Sequence, residues 1–532
     1  MKRIFTVALF ALALGACKKG FDINDNPNSS TAAYPGLVLT NALNTTGRNT
    51  TGSFEFYRFA SPWIGYWNFS GAYSGFLEER SYNITSYYGG ATNTWPNLYN
   101  NLEDYQYLEN QGVALGKPYF VAMAKTMKAY NFQYLVDFYG DIPYTQALQS
   151  TKYIRPKYDK DIAVYEALAD KLDSAATIFK AAGQVAATDK AYDIIYAGDL
   201  TKWGRLANTL KLRLLLRQTQ ISGRDAYIKA QIAKITANGL GFLGAGETAN
   251  IQPGYINSDG KQNPFYSSFG YTAASAQQFG HQEYLAAKYS LDFYQDNNDP
   301  RLTRFYSTLN DGADTTGTYV GHAFGPTATI DDKPDKVSSI GPGLVKNPDG
   351  ASKPQALITD FESLFLQAEA AQRGLIPGSA QDFYQSAITQ SFIALDLTAA
   401  QAITYYTKQA VANWNDPSHD GLGITAETPG NTPDTKIPDT DNKLILIIKQ
   451  KWAALNGFND IEAWCDYRRL GLPADIPVSN NPAATTRRIP VRMPYPQSEY
   501  NYNPENVGAE GNISQFTSRV FWDVKDVPLA TN

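Results

Sequence analysis

Two cysteines and three histidines are all that 532 residues provide of the side chains most used in redox and metal chemistry. Cys17 lies in the targeting segment described below, so Cys465 has no disulfide partner within the chain, and the fold is held by its core and not by cross-links. Cys465 sits beside Trp464 on an apolar helix face and reads as a buried small hydrophobe. The chain also lacks His-Glu-x-x-His, Gly-x-Ser-x-Gly and a Walker loop, which removes the familiar hydrolase and nucleotide-binding signatures. Positive charge is not in excess either: 46 Lys and Arg face 51 Asp and Glu, for a net charge of −5 and a pI near 5.5. That disfavours nucleic acid as a partner, since its binders carry a basic face.

What is present is the composition of a globular protein, 43% hydrophobic and 18% charged, with length for several ordinary domains or one large one. Residues 1–16 read as a lipoprotein signal peptide. Lys2 and Arg3 give the charged start, and the apolar stretch 4–14 is shorter than the roughly 20 residues of a spanning helix. Leu14-Gly15-Ala16-Cys17 has the small residues before a cysteine that mark a bacterial lipobox, with Cys17 as the lipidation site. The plain alternative is an ordinary signal peptide with Cys17 incidental. Residues 17–35 are polar and read as a tether. Asp22, Asn24 and Asn26 imitate half of a calcium loop, but Pro27 replaces its glycine and Ala33 its glutamate. No motif therefore supports structural calcium, and no cofactor is expected.

The most regular stretch is 119–148. Phe120, Ala124, Met127, Asn131, Tyr134 and Phe138 recur at steps of three and four, and Gly140 and Pro143 stop the helix. Similar periodicity predicts helices over 95–108, 162–179, 203–214, 226–237 and 285–293. Arg205, Lys211, Arg213 and Arg217 fall to the side of one stripe and read as a solvated or salt-bridged face. Asp299-Pro300 looks like an N-cap with proline in the first helical position. Segments 361–373 with 380–395, and 444–455 with 461–470, read as helical hairpins of tetratricopeptide type. Trp203, Trp452 and Trp464 lie on periodic faces and are expected in the core. Between the helices run long polar insertions, 248–280 and 310–354. The expected class is all-α, helix hairpins forming a scaffold with loop-rich insertions on one face.

Gly239-Leu240-Gly241-Phe242-Leu243-Gly244 matches a dinucleotide-binding fingerprint in letters only. That motif must leave a strand and open a helix, whereas here a helix precedes it and Gly239 reads as its cap.

A set of short motifs runs in order along nearly the whole chain. After the lipobox come Phe21-Asp22-Ile23-Asn24 and Asn26-Pro27-Asn28, then Phe138-Tyr139-Gly140-Asp141-Ile142-Pro143-Tyr144 and Leu210-Lys211-Leu212-Arg213-Leu214. Asn298-Asp299-Pro300-Arg301-Leu302, Ala368-Glu369-Ala370, Gln450-Lys451-Trp452, Glu462-Ala463-Trp464 and Arg468-Arg469 follow. The tail adds Pro490, Arg492, Tyr495-Pro496, Glu499 and Phe521-Trp522-Asp523. In this order they resemble the SusD/RagB family of surface lipoproteins, and the resemblance implies four tetratricopeptide-like helix pairs in a single helical domain over 36–532, and no catalysis. It also implies nutrient binding, usually of a glycan, at the outer face of the outer membrane, and a SusC-like TonB-dependent barrel as partner.

Sugar recognition needs flat aromatic faces against pyranose C–H groups, with amides and carboxylates for the hydroxyls. Two groups carry that chemistry: Trp63, Tyr66, Trp67, Asn68 and Tyr73, and Tyr255, Asn257, Tyr266 and Tyr271. Core or loop packing is the plain reading of each residue taken singly. Aromatic clefts serve peptides equally, so peptide capture on the same scaffold is the alternative. A glycosidase would need paired carboxylates at set separation, which plentiful Asp and Glu do not specify.

Overall fold

The computed structural model describes residues 33–149, 151–326, 332–419 and 442–524. The signal peptide, Cys17, the calcium-like stretch and most of the tether lie outside the described residues.

Helices begin where side chains can take up free backbone N–H groups. Pro35 opens α1 (Pro35–Asn49) with its fixed φ. The Ser53 hydroxyl accepts from the Glu55 N–H to open α2 (Phe54–Trp63). The long central run follows as α3 (Thr94–Ala114), α4 (Pro118–Tyr139) and α5 (Asp161–Ala181). Asp199 caps α6 (Leu200–Arg217), and Gly239, at φ 72°, ends α7 (Asp225–Asn238) as a left-handed cap. The fingerprint glycines are thus a helix terminus, as the sequence context implied. After α8 (Lys288–Asp296) come α9 (Asp360–Gln372), α10 (Ala380–Ala394) and α11 (Ala399–Lys408), the last opened by a Thr398–Gln401 capping box. The last long helices are α12 (Asn442–Leu455) and α13 (Asp460–Leu470), and two short helices, Gln497–Tyr502 and Pro504–Ala509, follow in the tail.

The packing is hairpin upon hairpin. Helix α4 lies between α3 and α5, α5 leads on to α6, α9 packs on α10 and α12, and α12 on α13. The all-α, tetratricopeptide-like expectation therefore holds. Helix α4 is more central than its stripe suggested, because every residue from Tyr119 to Tyr139 except Lys125 is buried. A helix buried all round must satisfy polar side chains internally. Tyr165 accordingly donates to Asp137, and Arg213 donates to the Gln133 amide at 3.1 Å.

The basic side chains of α6 are salt-bridged, and Lys211, Arg213 and Arg217 are buried while Arg205 is half-exposed. Arg213 reaches Glu362 at 3.0 Å and Glu462 at 3.3 Å, and Arg217 reaches Asp137 at 3.2 Å. Arg469 on α13 meets Glu369 of α9 at 2.6 Å. Asp299 is not an N-cap for Pro300: the short helix there is Leu302–Phe305, and the Asp299 carboxylate instead clasps buried Arg301 at 2.7 Å.

Six short strands stitch the loop-rich side. β1 (Trp67–Phe69) pairs antiparallel with β5 (Tyr284–Ala286), β2 (Ile142–Pro143) with β3 (Tyr158–Asp159), and β4 (Ala249–Ile251) with β6 (Gln355–Ile358). The glycine-punctuated stretch after Trp63 is thus partly strand, and so is the first part of the helix expected from residue 285. One apolar core runs from Leu39 to Trp522 and includes Trp203, Trp452, Trp464 and Cys465.

Candidate functional site

The aromatic cluster around β1 faces inward. Trp63, Tyr66 and Trp67 have no exposed surface, and Asn68 is buried. Each is committed to an internal partner. The Trp63 indole N–H donates to the Glu79 carbonyl at 3.2 Å, the Tyr66 hydroxyl to the Trp452 carbonyl, and the Asn68 amide to the His322 carbonyl at 2.6 Å. Trp67 stacks on Tyr57 with ring centres 5.7 Å apart. These four are therefore corrected from candidate ligand contacts to core: Trp63 ends α2 against Trp464, Tyr66 stacks on Trp452, and β1, which carries Trp67 and Asn68, pairs with β5 and is packed on both faces. Tyr266 is buried as well, its hydroxyl on Asn347 at 3.2 Å, and Tyr255 is nearly so, donating to Asn44 at 2.8 Å.

The remaining three candidates come together. The Tyr73 hydroxyl donates to Gln282 Oε1 at 3.1 Å, and Gln282 donates to the Gln277 carbonyl at 3.2 Å. Gln277 Nε2 and the Tyr271 hydroxyl donate to Asp311 Oδ2 at 2.9 and 2.7 Å. Gln262 Nε2 then bridges the Tyr271 carbonyl at 3.1 Å and Asn257 Oδ1 at 2.7 Å. A hydrogen-bonded polar strip thus runs from exposed Asn257, through buried Gln262, to Tyr73 at the loop-rich surface.

At its Tyr73 end the strip meets an aromatic ledge. Tyr73 is 36% exposed and lies edge-on to Phe279, which is 54% exposed, with ring centres 6.0 Å apart. Phe279 in turn leans on Phe76 at 6.3 Å, and Phe76 stacks on buried Phe69 at 4.3 Å, so the exposed rings are anchored to the core. A large apolar ring left in water beside fixed amides is informative where a scattered one is not. Sequence reasoning missed Phe279, Gln277, Gln282 and Asp311. The legible signal was a single phenylalanine set among amides in Gln277-Gln278-Phe279-Gly280-His281-Gln282.

With the ledge and scaffold described, comparison with known proteins decides the family. The model of a SusD-like family, described as starch-binding and associating with the outer membrane, matches residues 27–496. The chain belongs to the SusD-like family. SusD-like solved structures agree on the fold. A SusD homologue from Bacteroides fragilis aligns at TM-score 0.72 and 23% identity, over 93% of this chain and all of that one. A SusD/RagB family protein from Bacteroides thetaiotaomicron gives 0.68 and 22%, with coverage of 93% and 100%. A chitin-binding SusD homologue from Flavobacterium johnsoniae gives 0.68 and 24%, with coverage of 92% and 99%. No protein of curated function matches the chain.

SusD-like proteins are thus a binding family associated with the outer membrane. Among the described residues no helix is long and apolar enough to cross a membrane, and no group of His, Cys, Asp or Glu is placed to hold a metal ion.

Proposed function

We propose that this SusD-like protein captures a glycan on the ledge formed by Tyr73 and Phe279, and that it breaks no bond in doing so. The observation that carries this reading is the exposed edge-to-face ring pair, fixed from below by Phe76 and flanked by the Gln277 and Gln282 amides. Aromatic faces take the apolar side of a pyranose, and amides discriminate its hydroxyls. Family membership and a chitin-binding neighbour support a glycan over a peptide. Tyr271 and Asn257 extend the same surface and would contact a longer oligosaccharide.

The finer assignment follows the family. A lipid on Cys17 holds the protein at the outer surface of the outer membrane, and a SusC-like TonB-dependent barrel receives the ligand, with this protein as its lid. The test is calorimetric titration with maltohexaose, chitohexaose, xylohexaose and mixed peptides, on wild type and Phe279→Ala. Binding of one oligosaccharide, weakened in the variant at unchanged melting temperature, is expected. Peptide binding with all three oligosaccharides silent would replace the glycan reading with peptide capture.

A further inference from the structure

The strip has a centre. Four donors converge on the Asp311 carboxylate: the His281 ring through Nε2 at 2.9 Å, the Tyr271 hydroxyl at 2.7 Å, the Gln277 amide at 2.9 Å and the Ser339 hydroxyl at 2.7 Å. Three of them lie within 271–281, the segment that carries Phe279. The fourth comes from the chain entering Ser339, which is itself paired to the sheet through the Leu285–Ser339 bridge. His281 is wholly buried at its side chain, and its other nitrogen, Nδ1, lies 2.8 Å from the Phe269 carbonyl. Both ring nitrogens therefore face oxygen acceptors, one at each end of the segment's fold.

The backbone at this point is unusual. Asn310 and Asp311 have φ of 54° and 55°, and Gly312 follows at 86°. Consecutive non-glycine residues in the left-handed region are held only where surrounding contacts over-determine them. Here the four hydrogen bonds to the carboxylate join the backbone bonds of the turn, from Gly312 N–H to the Thr308 carbonyl at 2.9 Å and from Ala313 N–H to the Asn310 carbonyl at 3.1 Å. Burial alone would raise the Asp311 pKa, but the bonds from His281, Ser339 and Tyr271 outweigh it and hold the group well below the usual carboxylate range. The side chain thus stays ionised and accepting while a quarter of it remains exposed.

We propose that Asp311 is the positioning residue of the ledge: it ties 271–281 to the 310–312 turn and to Ser339, and so presents Phe279 and the amides of Gln277 and Gln282 already in their binding arrangement. The proposal rests on the ledge being the ligand site. Its physical content is pre-organisation, since a segment ordered before the ligand arrives loses less freedom on binding. Asp311 touches no ligand. It sets affinity through residues that do.

Asp311→Asn keeps the shape and removes the charge, turning an amide N–H₂ toward donors. Hydrogen exchange without ligand is expected to accelerate across 271–281 while α4 is unchanged, and affinity for whichever of maltohexaose, chitohexaose and xylohexaose binds in the titrations above is expected to fall on the order of tenfold. Saturating oligosaccharide should restore wild-type protection to 271–281, which a merely structural defect would not allow. Unchanged exchange in 271–281 would overturn the proposal, and so would faster exchange with undiminished affinity. Should Asp311→Asn fold poorly, Ser339→Ala removes one donor from a residue placed outside the ledge and is read the same way. The exchange arm needs no ligand. Intact binding in Phe279→Ala would defeat the glycan ledge, whereas a rigid 271–281 in Asp311→Asn would defeat the brace alone.

Discussion

Arg217 and Glu462 are separated by 245 residues of chain, and their side chains meet at 2.6 Å in a dry interior. This contact joins α6 to α13 and sits in a network with Arg213, Asp137 and Glu362. Burial alone would raise the Glu462 pKa, but Arg213, Arg217 and Lys451 together outweigh it and hold it down at about 2.

Removing Glu462 leaves Arg213 with Glu362 alone and Arg217 with Asp137 alone, in a buried network short of one negative charge. Glu462→Ala is therefore expected to cost about 3–5 kcal/mol of stability in urea unfolding, far above the cost of breaking an exposed pair. Oligosaccharide binding per folded molecule should be unchanged, because the network lies in the scaffold.

The same carboxylates set an acid limb. The Glu369 pKa, which burial would raise, is brought down to about 2 by Arg469 and Arg373. Between the ordinary glutamate value of 4.5 and about 2, the unfolded chain takes up protons that folded Glu369 and Glu462 refuse. Stability from these two groups is full above 4.5 and is lost as pH falls through that window. Asp460 has the opposite sign. Burial, against hydrogen bonds from Ser61 and the Gly457 N–H, raises it from 3.8 to about 7. Its contribution is full below 3.8 and lost as pH rises to about 7, so Asp460→Asn should flatten that part of a melting-temperature profile.

Two aromatic substitutions should separate core from surface. Trp67→Ala empties a fully buried site and is expected to cost about 3–5 kcal/mol of stability. Tyr73→Ala, on the exposed ledge, should lower oligosaccharide affinity with little change in melting. Reversed outcomes would move the site back to the cluster around β1.

Cys465 should be silent toward thiol reagents in the native protein. Burial pushes its pKa up to about 12, although Arg217 and Arg468 pull the other way. Ellman titration is expected to detect it only after denaturation, because the thiolate is the reacting form.

Cys17→Ala should release the protein from membranes into the soluble fraction. Retention on membranes would place the anchor elsewhere.

The sequence by itself determined most of the helices, the glycine ends of two of them, and the family, but not the start of the helix after residue 285 or the role of Asp299. Apolar residues three and four apart define a helical face whatever lies beyond it, and Gly239 or Gly140 ends a helix by a local backbone preference. The ordered motifs carry the family because they are scaffold, and scaffold is written in local pattern. Tertiary structure alone decided which aromatic residues face water. Trp67 and Phe279 have similar chemistry in sequence, yet β1 is buried by pairing with β5, more than two hundred residues on, while Phe279 stays at the rim. The basic residues of α6 looked equally fit for solvent or for salt bridges, and Arg213 and Arg217 are buried because Glu362 and Glu462 arrive from distant helices. Inside or outside depends on partners that no periodicity within one segment can name.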